Sequence, residues 1–389
     1  MLKIKTINKI SRLGLDLLDK SQFEVSDAVD SPDAILVRSA SLHELEFNEN
    51  LLAVGRAGAG VNNIPIAKCT ENNVVVFNTP GANANAVKEM VLSSMFIAAR
   101  NIMEGAAYCA TLGDETDHRI HELVEEQKAK FKGFEISGKR LGVVGLGSIG
   151  MMVANDASTL GMEVEGYDPF ISVHRAWALS RSVKPCESFT KLLANSDFIT
   201  LHMSLTPETR GLLNRDSLAK MKRGAVLLNF ARAEIVDEDA VLEVLESGHL
   251  RKYMTDFPTK RLAGHPNVVA TPHLGASTRE AEDNCAIMIA EQIADYLQNG
   301  NITNSVNFPN CAMDRAGDVR IVIANQNIPN MVGQITGILA AESLNIVEMM
   351  NKSIKDIAYN IVDISGAVND QTLTKIKAIQ GVTMARIIR

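Results

Sequence analysis

The chain has 389 residues, 46% of them apolar and 22% charged, with a formal charge of −7. That length exceeds what one hydrophobic core organises, so two or three domains are expected. A negative balance without any Lys/Arg tract argues against a nucleic-acid groove, while local basic clusters could still hold an anionic metabolite.

The longest apolar stretch of note, MVLSSMFIAA from Met90, is about half of a bilayer span and is flanked by Lys88, Glu89 and Arg100. The N-terminal MLKIKTINKI lacks the apolar core of a secretory signal, and the five cysteines (Cys69, Cys109, Cys186, Cys285, Cys311) are scattered without a CxxC pair. No membrane segment and a reducing cytoplasm are therefore expected.

In chain order, short apolar runs (ILVRS, LLAVGRAGAG, VVVFNTPG) alternate with helical segments (SRLGLDLLDK, IPIAKCTENN), the rhythm of βα units around a parallel sheet. Their near-continuous hydrophobicity suits strands covered on both faces. A long amphipathic helix is expected over Asn83 to Ile102, and a second αβ series follows it: RLGVVGLGSIG, MEVEGYDP, SDFITLHMS, GAVLLNFAR, VVATPHLG. A helix from Thr278 to Gln298, closed by Asn299-Gly300, precedes a polar, proline-containing stretch that reads as a linker. From Val319 onward the order is strand, helix, strand, strand, helix, strand, a ferredoxin-like arrangement.

The expected fold is therefore α/β, with two Rossmann-like or flavodoxin-like parallel-sheet domains and a small C-terminal ferredoxin-like α+β domain. The motif LGVVGLGSIG carries Gly145, Gly147 and Gly150 at GxGxxG spacing between a strand and a helix, and the next strand ends at Asp168. In that context the glycines turn the chain and let a pyrophosphate approach the backbone, with Ser148 and Ile149 opening the helix. Asp168 would accept hydrogen bonds from ribose hydroxyls and repel a 2′-phosphate, which favours NAD over NADP.

His202, Arg232 and His273 each follow a strand of the second series, at the carboxyl edge where open parallel sheets bind ligands. A guanidinium there can fork onto an α-hydroxy or α-keto carboxylate, and an imidazole can carry a proton. The other histidines (His43, His118, His121, His174, His249, His265) show no metal-ligand spacing, and no metal site is expected.

Taken together, GRAGAGVNNI, VFNTPGANANAV, VVGLGSIG, NFARAEIVDEDA, TDFP and TPHLGAST resemble the D-isomer-specific 2-hydroxyacid dehydrogenases. The C-terminal IANQNIPNMVGQITGILAAESLNI resembles an ACT domain. The resemblance implies Arg232 and His273 as catalytic residues, and Asp256, within one residue, as a nicotinamide contact. It gives a cofactor set of Gly145, Gly147, Ser148, Ile149, Gly150, Asp168, His202, Thr206 and Asp256.

It also implies that Arg38 and Arg56 hold a substrate phosphate, and that Ser39, Ala57, Gly58 and Asn78 line the substrate site with Arg232. The implied domains are 1–89 plus 279–305 for substrate, 90–278 for NAD, a linker at 306–318, and 319–389 for regulation or dimerisation. Asn325, Asn327 and Asn345 are candidate contacts for an amino-acid effector such as serine, and a homodimer or homotetramer is expected.

One position departs from the family. Its members place a glutamate shortly after the DFP-like segment to orient the histidine, whereas this chain has Lys260 there. Asp256, another carboxylate, or a shifted alignment could account for this. Other readings remain open: a dehydrogenase for glyoxylate, hydroxypyruvate or D-lactate, or a catalytically silent NAD-sensing protein on the same scaffold.

Overall fold

The computed structural model describes residues 1–388, the side chain of His174 apart. The chain divides into two compact units: unit 1 is Met1–Asn83 together with everything from Arg279 onward, and unit 2 is Ala84–Thr278.

Unit 1 begins with β1 (Leu2–Ile7), α1 (Arg12–Leu15), β2 (Phe23–Ser26), β3 (Ala34–Val37), β4 (Ala53–Arg56), α2 (Ile66–Glu71) and β5 (Val75–Phe77). These strands form one sheet in the order β2-β1-β3-β4-β5, parallel throughout, which is the flavodoxin-like winding. All four residues of β3 are buried, as a strand covered on both faces requires.

Unit 2 opens with α3 (Ala84–Arg100), α4 (Ile102–Ala110) and α5 (Asp117–Gln127). It continues through β6 (Arg140–Val144), α6 (Ser148–Thr159), β7 (Glu163–Tyr167), α7 (Val173–Trp177), β8 (Lys184–Pro185), α8 (Phe189–Asn195) and β9 (Phe198–Leu201). It closes with α9 (Arg215–Ala219), β10 (Ala225–Asn229), α10 (Glu238–Glu246), β11 (Leu250–Thr255) and β12 (Val268–Ala270). The seven strands are parallel in the order β12-β11-β10-β9-β6-β7-β8. The order reverses between β6 and β9, which makes that edge the ligand-binding switch point of a Rossmann sheet. Two apolar clusters cover its faces; one is built on α3, α6 and β6, the other on α8, α9 and α10.

The chain returns to unit 1 through α11 (Arg279–Asn299), whose residues Ile289 and Ile293 pack onto Gly55 of β4. It ends with β13 (Val319–Gln326), α12 (Met331–Ala341), β14 (Asn345–Ile354), β15 (Ile357–Ser365), α13 (Asp370–Lys377) and β16 (Val382–Ile388). The antiparallel order β14-β15-β13-β16 is ferredoxin-like.

One face of this sheet is covered by α12 and α13; the other face, with Val322, Ala324, Tyr359 and Ile361, joins the same apolar cluster as α11 and the first sheet. The stretch that composition marks as linker is packed into that cluster through Phe308, Cys311 and Met313, which are 2%, 1% and 8% exposed. Its backbone pairs Ile302 with Cys311.

A buried arginine fixes the junction. Arg320 and Asp363 are both fully buried and form a two-point pair, Nε to Oδ1 at 2.6 Å and Nη2 to Oδ2 at 2.8 Å. The remaining guanidinium hydrogens reach the carbonyls of Asn299, Met313 and Asp314 and the side-chain oxygen of Asn301. One side chain thus ties β13 and β15 to the end of α11 and to the 300–316 segment. Burial pushes the Asp363 carboxyl up, but the hydrogen bonds from Arg320 and the Ala316 amide outweigh it and hold the group below the usual carboxylate range.

Candidate active site

In unit 2 the glycine turn has the geometry its spacing implies. Gly145 adopts φ +89°, a conformation other residues rarely take, and a Cβ on Gly150 would lie 2.0 Å from the Gly145 carbonyl oxygen. Gly147, the N-cap of α6, faces open space: a Cβ there would meet nothing within 4 Å.

The first bonded amide of α6 is Met151, which donates to Gly147. The amides of Ser148, Ile149 and Gly150 therefore precede any intrahelical acceptor and form an anion-binding end with the helix dipole. Asp168, just past β7, accepts the Leu146 amide at 2.8 Å and the Phe170 amide at 2.9 Å. A carboxylate has about four acceptor sites, so it keeps capacity for ribose hydroxyls. The open backbone at Gly147, the helix end and a half-exposed acid fit a dinucleotide.

Four more segments leave the same carboxyl edge. After β9, His202 bonds the Thr200 hydroxyl at 2.9 Å; although part of its surface is exposed, the protein packed around the ring pushes its pKa down to about 3 by desolvation. Thr206 sits in a turn stitched by its own amide and the Thr209 hydroxyl at 2.8 Å.

After β10, Arg232 is exposed, and its guanidinium donates to the neighbouring Ala231 carbonyl at 2.6 Å. After β12, His273 is exposed in a left-handed conformation with φ 56°, and its ring meets Phe257 edge-on at 5.3 Å. After β11, Asp256 is 2% exposed and accepts the Thr271 hydroxyl, the Leu274 amide and the Gly275 amide, each at 2.7 Å. Lys260 stands exposed on the following loop.

In unit 1, Val37 and Arg56 pair in register at the ends of β3 and β4, so Arg38 and Arg56 leave the carboxyl edge of adjacent strands. The Arg56 Nε donates to the Arg38 carbonyl at 3.1 Å. Arg38 itself pairs with Glu282 of α11 at 2.6 Å, a partner 244 positions away that no local pattern announces. Ser39 is exposed, with its amide held by Asn8; Ala57 and Gly58 are buried; and Asn78 donates to the Ala59 carbonyl at 2.6 Å.

At the C-terminal sheet, Asn325 is 2% exposed and accepts from Asn360, which in turn accepts from Asn351. Asn325 and Asn327 line a cavity of about 140 Å³ beside the start of α12, with Asn330, Met331 and Asn351. Asn345 is not part of this group. It pairs with Ser365 at the other end of β14, about 20 Å from Asn351 at the strand rise. The histidine His174 lies outside the described side chains. Among the described residues no group of three or more His, Cys, Asp or Glu side chains could hold a metal ion. No helix among them is long and apolar enough to cross a membrane.

The fold and this edge define a dinucleotide-binding α/β protein with an arginine and a histidine at the same sheet edge. Residues 92–275 match the family model described as "D-isomer specific 2-hydroxyacid dehydrogenase, NAD binding domain". The chain is 30% identical to a D-3-phosphoglycerate dehydrogenase of Haemophilus influenzae over 380 residues, 94% of this chain and 88% of that one. It belongs to the D-isomer-specific 2-hydroxyacid dehydrogenase family.

Within that family it is 35% identical to the D-3-phosphoglycerate dehydrogenase of Methanocaldococcus jannaschii over 84% of its length. The chain spans 61% of that relative's length and 62% of the corresponding Bacillus subtilis protein. Among solved structures, the NAD⁺-bound 3-phosphoglycerate dehydrogenase of Entamoeba histolytica superposes with a TM-score of 0.62 at 28% identity, covering 79% of this chain and 98% of that one.

Proposed function

We propose that the protein oxidises D-3-phosphoglycerate to 3-phosphohydroxypyruvate with NAD, the entry step of serine biosynthesis, in the cytoplasm. The observation that carries this reading is the single carboxyl edge of unit 2, where a dinucleotide turn, Asp168, an exposed guanidinium and an exposed imidazole all emerge from one parallel sheet.

Bound NAD supplies the hydride acceptor, held by the 145–150 turn, Asp168, His202, Thr206 and Asp256. Arg232 takes the substrate carboxylate in a forked pair and polarises the adjoining C2–O bond. His273 removes the hydroxyl proton as the carbonyl forms. Arg38 and Arg56, with Ser39, Ala57, Gly58 and Asn78 around them, receive the phosphate and the rest of the substrate. Arg38 exchanges Glu282 for that phosphate.

NADH formation with 3-phosphoglycerate, compared with D-lactate and D-glycerate, tests the substrate. Preference for an unphosphorylated acid would reject the role of Arg38 and Arg56. Arg232→Ala should lower kcat/KM by at least about 100-fold, the scale of losing one electrostatic donor at about 2.7–4 kcal/mol. Unchanged turnover in that variant would remove Arg232 from the site.

The finer assignments belong to the same proposal. The cavity at Asn325 and Asn327 supports an amino-acid effector such as L-serine, tested by titrating serine against turnover. α4 is apolar yet buries no residue in the single chain, and Ile102 and Met103 are 48% and 53% exposed, which supports a homodimer or homotetramer through this arm.

A further inference from the structure

The family orients its proton-carrying histidine with an acid, and this chain places Lys260 where that acid is expected. Among the described residues no carboxylate hydrogen-bonds the His273 ring. What the structure offers instead is a buried polar assembly at the ends of two adjacent strands.

Asn229, the last residue of β10, is fully buried; its side chain donates to the Arg232 carbonyl at 2.9 Å and accepts the Ala231 amide at 3.2 Å. It therefore shapes the turn that presents Arg232. Asp256, just past β11, holds the next turn in the same manner: Thr271 and Leu274 donate to one carboxylate oxygen, Gly275 to the other, and the His273 amide to the Asp256 carbonyl at 3.1 Å. The two residues are joined directly, since the Asp256 amide donates to the Asn229 carbonyl at 3.3 Å. Tyr253, also buried, lies beneath Asn229 with its hydroxyl at 3.3 Å.

Each side chain suits its place. An amide can donate to one carbonyl and accept from one amide, which is what the 231–232 turn demands, whereas the 271–275 turn presents only donors and is met by a carboxylate. Buried polar groups persist where they are satisfied, as Asn229 and Asp256 are here. The left-handed backbone at His273 is held on both sides, at Thr271 and at Leu274 and Gly275.

We propose that Asn229 and Asp256 form one buried brace of positioning residues that fixes the substrate-anchoring guanidinium of Arg232 against the proton-carrying imidazole of His273, so that backbone clamping replaces the family's acid at the ring. The inference rests on the functional reading above and adds to it a mechanism of alignment. A displacement of about 1 Å at such a site costs about 100-fold in rate, while cofactor affinity is spread over the 145–150 turn, Asp168, His202 and Thr206 as well as Asp256.

The test is Asp256→Asn, which leaves one acceptor but sets an NH₂ against the Gly275 amide, and Asn229→Ala, with NADH affinity measured by fluorescence and kcat and KM measured separately. Both variants should lose about 100-fold in kcat, with the NADH Kd within about 3-fold of wild type in Asn229→Ala and raised by no more than about 10-fold in Asp256→Asn, whose side chain is also a cofactor contact. Thr271→Val, which removes one donor and keeps the carboxylate, should lose about 10-fold and serves if Asp256→Asn does not fold.

Wild-type-like kcat in folded variants overturns the brace. A rise in NADH Kd matching the fall in kcat also overturns it, because Asp256 would then act only as a cofactor contact. Wild-type protein that forms no NADH from any 2-hydroxyacid overturns the functional reading, and the brace with it, before any variant is compared.

Discussion

Arg320→Met is the sharpest test of how unit 1 is built. The substitution keeps the volume of the aliphatic stem and removes six donated hydrogen bonds, two of them to Asp363. Asp363 is left buried with the Ala316 amide still donating to it, and the carbonyls of Asn299, Met313 and Asp314 lose a charged partner. Breaking one side of a buried pair costs about 3–5 kcal/mol, chiefly because the surviving charge is uncompensated. The double variant Arg320→Met, Asp363→Leu removes that charge and should recover to within about 2 kcal/mol of wild type, since apolar replacement of a buried pair is often neutral. Trp177 is the only tryptophan and lies in unit 2, so its fluorescence cannot follow unit 1. Native-state amide exchange of β1 and β13 under urea reports there instead. Both strands should lose protection together. A loss under about 1 kcal/mol, a double variant worse than the single, or opening of β13 alone with β1 unaffected would refute a shared core clamped by Arg320.

Asp363 titrates below its unfolded value, so the stability it contributes is present above about pH 4 and is lost as pH falls through its folded pKa. The melting temperature of Asp363→Asn, less stable at pH 7, should vary less than that of wild type below about pH 4. His202, held neutral down to about pH 3, binds fewer protons folded than unfolded between there and about pH 6.5, so stability should decrease as pH is lowered through that window. His202→Gln should flatten this slope, and an unchanged slope would assign it elsewhere. Gly150→Ala sets a Cβ against the Gly145 carbonyl and should weaken NADH binding by more than about 10-fold, measured by fluorescence titration, whereas Gly147→Ala in open space should fold normally.

The parallel sheets were legible because buried strands announce themselves as short, continuous apolar runs, and the glycine spacing around Gly145 because tight turns tolerate few other residues. Arg232 and His273 were legible through position: each is the first strongly polar group after such a run. Their supports were not. Glu282 meets Arg38 from another part of the chain, and the Thr271–Asp256 bond joins residues whose local sequence, TPH and TDF, gives no sign of contact. Sheet register sets Asn325 and Asn345 of one chain at opposite ends of the C-terminal sheet, a separation that only strand pairing reveals.

The segment around 306–318 shows the same limit in reverse. Its composition is that of a loop, yet Phe308, Cys311 and Met313 are buried, because one face of the C-terminal sheet needs a cover. A signal for this was present in the strands themselves. Period-2 alternation places Arg320 on the face of Val322 and Ala324, and Asp363 on the face of Tyr359 and Ile361, so each apolar face carries one charge of opposite sign. A solvent-facing sheet surface would have no reason to combine a lone charge with two such residues on each strand. Two adjacent strands with matching oddities are better explained by a buried pair, and a buried pair requires something packed over it. Charged residues out of phase with an apolar stripe therefore carry information about what a domain is packed against.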